Sequence, residues 1–129
     1  MSRTMSNTSL LMIVELGGYP DFSPIYRRAG FQVETVTSMR KALSLLKKNN
    51  YAMVVCEFNF QSDFRDRTSS LESMMAVLQV KPETRIIVFY EKEFAHQFER
   101  ISSRFPFHAA LRYPIDEQVL TDSVVSVRK

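Results

Sequence analysis

The sequence predicts an α/β domain, (βα)5, with five strands in one parallel sheet and helices on both of its faces. Three observations predict it. Short apolar runs without polar alternation recur along the chain, the form taken by strands buried on both faces. Stretches with apolar residues three and four apart separate them, the form of amphipathic helices. The chain has 129 residues, the length of one domain with its own core. Strand and helix in regular alternation imply a parallel sheet with right-handed crossovers.

The elements follow in order. Residues 1–9 are polar and aperiodic and read as a flexible N-terminal tail, leaving 10–129 as the domain. Leu10 to Val14 is the first strand, ending in Glu15-Leu16-Gly17-Gly18. Ser23-Pro24 opens the first helix, with Ser23 as its N-cap and Pro24 at its first position, and Gly30 ends it. Gln32 to Thr35 is the second strand. The second helix runs from Ser38 to Lys48, with Ala42, Leu43 and Leu46 in step and Lys47-Lys48 suited to its C-terminal dipole. Ala52 to Phe58 is the strongest strand signal. Ser70 to Gln79 is the third helix, stopped before Pro82. Arg85 to Tyr90 is the fourth strand and Glu93 to Arg104 the fourth helix. His108 to Arg112 is the fifth strand. After Pro114 comes the last helix, with Asp116 and Glu117 in its first turn and Val119, Leu120, Val124 and Val127 as its apolar stripe.

Composition removes several function classes. The hydrophobic share is 45% and the charged share 24%, ordinary for a globular chain. No apolar run approaches the roughly 20 residues that cross a bilayer. The start lacks the apolar stretch of a signal peptide, so Asn7-Thr8-Ser9 is a chance sequon. Cys56 is the single cysteine, which forms no internal disulfide and no Cys-based zinc site. These features predict a cytoplasmic protein. The net charge of +3 is modest and its cations are spread out, so nucleic-acid binding is not predicted. No phosphate-binding glycine loop and no hydrolase or metalloprotease motif occurs. Cys56 adjoins Glu57, but spacing brings neither His96 nor His108 to it, so it reads as a small buried hydrophobe.

In a parallel α/β sheet, ligands bind at the carboxyl ends of strands where the strand order reverses. Glu15, Glu57, Tyr90 and Tyr113 stand at those ends. From Leu10 to about Arg128 the chain resembles the receiver domains of two-component signalling. Four segments carry the resemblance: Leu11-Met12-Ile13-Val14-Glu15, Ala29-Gly30-Phe31-Gln32-Val33, Tyr51-Ala52-Met53-Val54-Val55-Cys56-Glu57 and Ala110-Leu111-Arg112-Tyr113-Pro114-Ile115. It implies the CheY-like, flavodoxin-like three-layer sandwich.

The departures from the family pattern shape the expected function. Receivers hold Mg²⁺ with two acidic residues after strand one and an acceptor aspartate. Here Glu15-Leu16 keeps one acid of the pair, and Glu57 takes the acceptor place with one more methylene. Tyr90 aligns with the phosphoryl-contacting threonine or serine, Tyr113 with the lysine before proline, and Ala110 with the switch aromatic. Mg²⁺ requires oxygen ligands in near-octahedral geometry, so no Mg²⁺ or other cofactor is expected. The first helix is expected to be trimmed. The loop after Glu57, with Asp63, Arg65, Asp66 and Arg67, is long and polar.

The resemblance therefore implies a degenerate receiver, or pseudo-receiver: a stand-alone signalling module without an output domain, not phosphorylated in the usual way and not an enzyme. It would act through a protein partner: a sensor kinase, another regulator or, as a homodimer, a second copy of itself. Glu57 reads first as a tolerated polar residue, second as a mimic of the phosphorylated state and last as a residual metal ligand. Phe94, Phe98, Phe107 and Ala110 mark the candidate partner face; of the aromatics Phe94, Phe98, Phe105 and Phe107, about half are expected in the core on helical spacing alone. Two other readings stay open: an unorthodox phosphoacceptor at Glu57, and a small-ligand binder or enzyme using a strand-end crevice walled by Tyr90 and Tyr113.

Overall fold

The computed structural model describes residues 8–58 and 70–127. Five strands form one parallel sheet in the order β2-β1-β3-β4-β5. They are β1 (Ser9–Ile13), β2 (Gln32–Val36), β3 (Met53–Glu57), β4 (Arg85–Tyr90) and β5 (Ala109–Arg112). The helices are α1 (Ser23–Arg28), α2 (Met39–Lys48), α3 (Ser70–Leu78), α4 (Ala95–Ser102) and α5 (Glu117–Val127). The (βα)5 order is the predicted one. No described helix is long and apolar enough to cross a membrane.

Two cores lie on opposite faces of the sheet, because successive side chains on a strand alternate. Leu11, Val54, Cys56 and Val88 point to one face, where they meet Leu46 of α2, Met74 of α3 and Ile101 of α4. Leu10, Met53, Val55, Ile87 and Phe89 point to the other, against Ile25 and Tyr26 of α1 and Leu120 and Val124 of α5. These are the three layers.

The boundaries differ from expectation where polar atoms take over. β1 begins at Ser9, one residue into the expected tail, and residues 1–7 lie outside the described residues. Ser23 is the first residue of α1 rather than its cap; Asp21 Oδ1 accepts from the Ser23 amide at 2.9 Å instead. Ser38 does cap α2, its hydroxyl accepting from the Lys41 amide. The expected helix 93–104 divides into a 3-10 turn, Lys92–Phe94, and α4. Asp116 Oδ1 accepts from the amides of Gln118 and Val119 and so caps α5, while Val119 is 48% exposed and leaves the expected stripe. β2 and β5 are edge strands, so most of their residues are not buried, unlike those of β1, β3 and β4. The α1 segment is short, as predicted. The polar loop with Asp63, Arg65, Asp66 and Arg67 lies outside the described residues.

Candidate functional site

The strand order turns around between β1 and β3: the chain moves outward from β1 to β2, then returns to β3 on the other side. Glu57 is the last residue of β3 and sits at that point. It is a charged residue at 1% exposure, and a buried carboxylate needs partners. The loop after β1 supplies them. The backbone amides of Glu15, Leu16 and Gly17 donate to its two oxygens at 3.2, 3.0 and 3.3 Å. The Tyr19 hydroxyl donates to Oε2 at 2.6 Å. Hydrogen bonds to a charged acceptor are among the stronger ones in proteins.

Three consecutive amides converge on one acid, and the backbone after them turns through left-handed conformations toward Tyr19. Gly17 has φ of +69° and Gly18 of +85°, a region that side-chain-bearing residues seldom adopt. The three N–H groups make an anion-holding concavity of main chain, filled by the chain's own Glu57 side chain. The extra methylene of glutamate gives the carboxylate its reach into that loop.

Aromatic rings close the site. Tyr19 lies against Tyr113, with centroids 5.7 Å apart, and against Phe22 at 5.9 Å. Its edge meets Phe89 at 5.3 Å. Burial pushes the Tyr19 phenol well above its ordinary range, and the hydrogen bond to Glu57 and that residue's negative charge push it further. Burial also raises Tyr113, with the charges of Glu57 and Glu91 adding to it. Both phenols stay neutral at physiological pH.

The candidate residues separate into two groups. Glu57, the main chain of Glu15 and Leu16, and Tyr113 belong to this site. The Leu16 side chain does not, being 76% exposed. Tyr90 does not either. It points to the opposite face of the sheet, where its ring stacks on Phe98 at 4.7 Å, so Tyr90 and Tyr113 do not wall one crevice. Phe98 is 5% exposed and touches Phe58 and Phe107 as well. It is a core residue and leaves the candidate partner face. Phe94 and Phe107 are half-buried against the same core, and Ala110 is exposed. Cys56 is buried, and burial raises its thiol, followed by the charges of Glu15 and Glu57; a neutral, enclosed thiol is a poor nucleophile.

Sequence reasoning missed Tyr19, Phe22 and Phe89. The Gly17-Gly18 pair was the available signal, since two adjacent glycines at a strand end mark a sharp turn of the chain, which here leads into Tyr19.

No protein-family model matches the sequence, and no curated protein matches it. Solved structures do. A response-regulator receiver domain from Clostridium thermocellum matches with a TM-score of 0.72 and 15% identity, over 93% of each chain. A receiver protein from Sinorhizobium medicae matches at 0.70 and 20% identity, over 95% of each. The chemotaxis protein CheY4 of Vibrio cholerae matches at 0.69 and 18%, over 95% of this chain and 99% of that one. The chain has the receiver fold.

Against the receiver pattern, the polarity at the β3 end is inverted. Where that pattern gathers carboxylates around a cation, this loop turns N–H and O–H groups onto Glu57. Such donors suit an anion. Among the described residues, no group of three or more His, Cys, Asp or Glu side chains could hold a metal ion. The residues present do not fit the Mg²⁺ site that the fold family implies.

Proposed function

We propose that this chain is a receiver-like signalling module in which an internal carboxylate lock replaces phosphoryl chemistry, and that it works by contact with a protein partner. The observation that carries this reading is the burial of Glu57 with both oxygens engaged by the loop 15–19. Phosphoryl transfer to Glu57 would need one of those oxygens free for in-line attack. It would also need positive charge to stabilise the transferring group. The oxygens are enclosed, and the position before Pro114 carries Tyr113, a neutral phenol. Mg²⁺ would meet amide hydrogens there. Nothing in the site suggests an enzyme. The single, buried thiol and the soluble-domain fold support a cytoplasmic setting.

The test is incubation with acetyl phosphate and Mg²⁺, followed by intact-mass spectrometry. The expected result is no added phosphoryl group and no change in melting temperature with Mg²⁺. Stable phosphate on Glu57 would overturn the reading.

A further inference from the structure

The sheet has a second notable end. Opposite Glu57, where β4 and β5 begin, a groove of about 410 Å³ opens between α3, β4 and the α4–β5 connection. Its floor is apolar: Leu78 and Ile86 are buried, and Phe105 and Phe107 are half-buried. Its rim is cationic. Arg85 is exposed there, and Lys81 lies between it and α2; the His108 ring turns to α5, with Nε2 at 2.9 Å from the Ser123 carbonyl and 2.8 Å from the Ser126 hydroxyl. No Asp or Glu lines the groove. Among the described residues, no carboxylate forms an ion pair with Lys81 or Arg85; the ion pair nearby joins Arg104 to Glu72. Lys81 instead donates to the carbonyls of Leu46 and Asn49 at the C-terminal end of α2, which orient its ammonium. Val80, beside the rim, is 80% exposed.

A buried apolar floor under an exposed rim makes an open trough rather than an enclosed chamber. A small molecule would leave much of its surface wet there, whereas pockets for small molecules bury most of the ligand. We infer that the groove docks a short acidic segment of a partner protein, an apolar side chain seated over Leu78 and Phe105 with flanking carboxylates meeting Arg85 and Lys81. Charge complementarity selects the occupant: Arg85 and Lys81 are among the residues that line the groove and no Asp or Glu is. The apolar floor supplies the anchor, and a groove of this size, filled by a short segment, implies a weak, reversible contact. This inference names a partner chemistry for the protein-contact reading above, but it does not involve Glu57.

The test titrates the full chain, isotope-labelled for NMR, with a capped octapeptide of glutamates around a central leucine-phenylalanine pair. The control peptide replaces the glutamates with lysines. The acidic peptide should shift the amides of Leu78, Val80, Phe105 and His108, and its affinity should fall with salt. Arg85→Glu should weaken binding by about tenfold, and Arg85→Lys should keep most of it. Val80→Glu, at a solvent-exposed position, should also weaken binding and gives a second variant should Arg85→Glu fold poorly. Equal binding of the lysine peptide, shifts confined to another surface, or no shifts at saturating peptide would overturn the inference. So would concentration-dependent shifts of these amides without peptide, which would assign the groove to a second copy of the chain. Phosphorylation at Glu57 would leave every one of these outcomes unchanged, so the two readings fail separately.

Discussion

The two faces of the sheet carry similar aromatic clusters around the carboxyl end of β4, with opposite centres. On the α1/α5 face, Tyr19, Phe22, Phe89 and Tyr113 pack on one another, and Tyr19 holds a carboxylate. On the face covered by α2, α3 and α4, Phe58, Tyr90, Phe98 and Phe107 pack on one another around a ring, Phe98. The first cluster is held by directed hydrogen bonds to a charge, the second by contact area and dispersion. Adjacent residues of one strand, Phe89 and Tyr90, serve the two clusters. A single apolar strand can thus be half of a polar site and half of a dry core, depending only on which way each side chain points.

Phe98→Ala should cost about 4 kcal/mol, since removing a buried ring leaves a cavity. Urea unfolding followed by circular dichroism would read it. Glu57→Ala should cost about 3 kcal/mol by leaving three amides and a phenol without their charged acceptor. In this variant, unlike Phe98→Ala, hydrogen exchange of the amides of Glu15, Leu16 and Gly17 should also accelerate. Matching exchange in the two variants would erase the distinction between the clusters.

Smaller changes sharpen it. Tyr19→Phe keeps the stacking on Tyr113 and removes one short hydrogen bond, for about 1.5 kcal/mol. The phenols also predict a pH effect. Burial raises Tyr19, Tyr26 and Tyr113 above the ordinary tyrosine value of 10.0. The folded state therefore favours the neutral form more than the unfolded state does. That stabilisation is complete below pH 10 and is lost as the pH rises beyond it. Phenolate absorbance during alkaline titration should show these rings ionising together with unfolding. Leu16→Asp, at an exposed position, should change stability by less than about 0.5 kcal/mol. It should confer no Mg²⁺-dependent rise in melting temperature, because Glu57 remains engaged by the amides.

Much of the fold was legible because its signals are local. β4 was read residue for residue, its four apolar positions bracketed by Arg85 and Tyr90. The edge strand β2 was placed within one residue but misjudged in burial, because edge position is a property of strand order and no short window contains it. The site was half legible. Glu57 and Tyr113 declared themselves as strand-end residues in a familiar pattern. Tyr19 did not, because its partner lies 38 residues away and the loop that presents it is shaped by the conformations of Gly17 and Gly18. Tyr90 does not share a crevice wall with Tyr113, because its neighbour Phe89 holds the place beside Glu57 and side chains alternate along the strand. Phe98 fell to the core, as the spacing of the α4 stripe allows.

The margins of the sheet set how another chain can meet this one. Strand edges invite a neighbour to extend the ladder through its main chain. Here one margin, β2, carries Glu34 in its middle, with its carboxylate tied to the Tyr51 hydroxyl at 2.7 Å. The other, β5, is four residues long. A charged strand and a very short one are poor templates for added strands. Recognition of this molecule is thereby left to side-chain surfaces, where a change of one residue retunes affinity without risking runaway assembly.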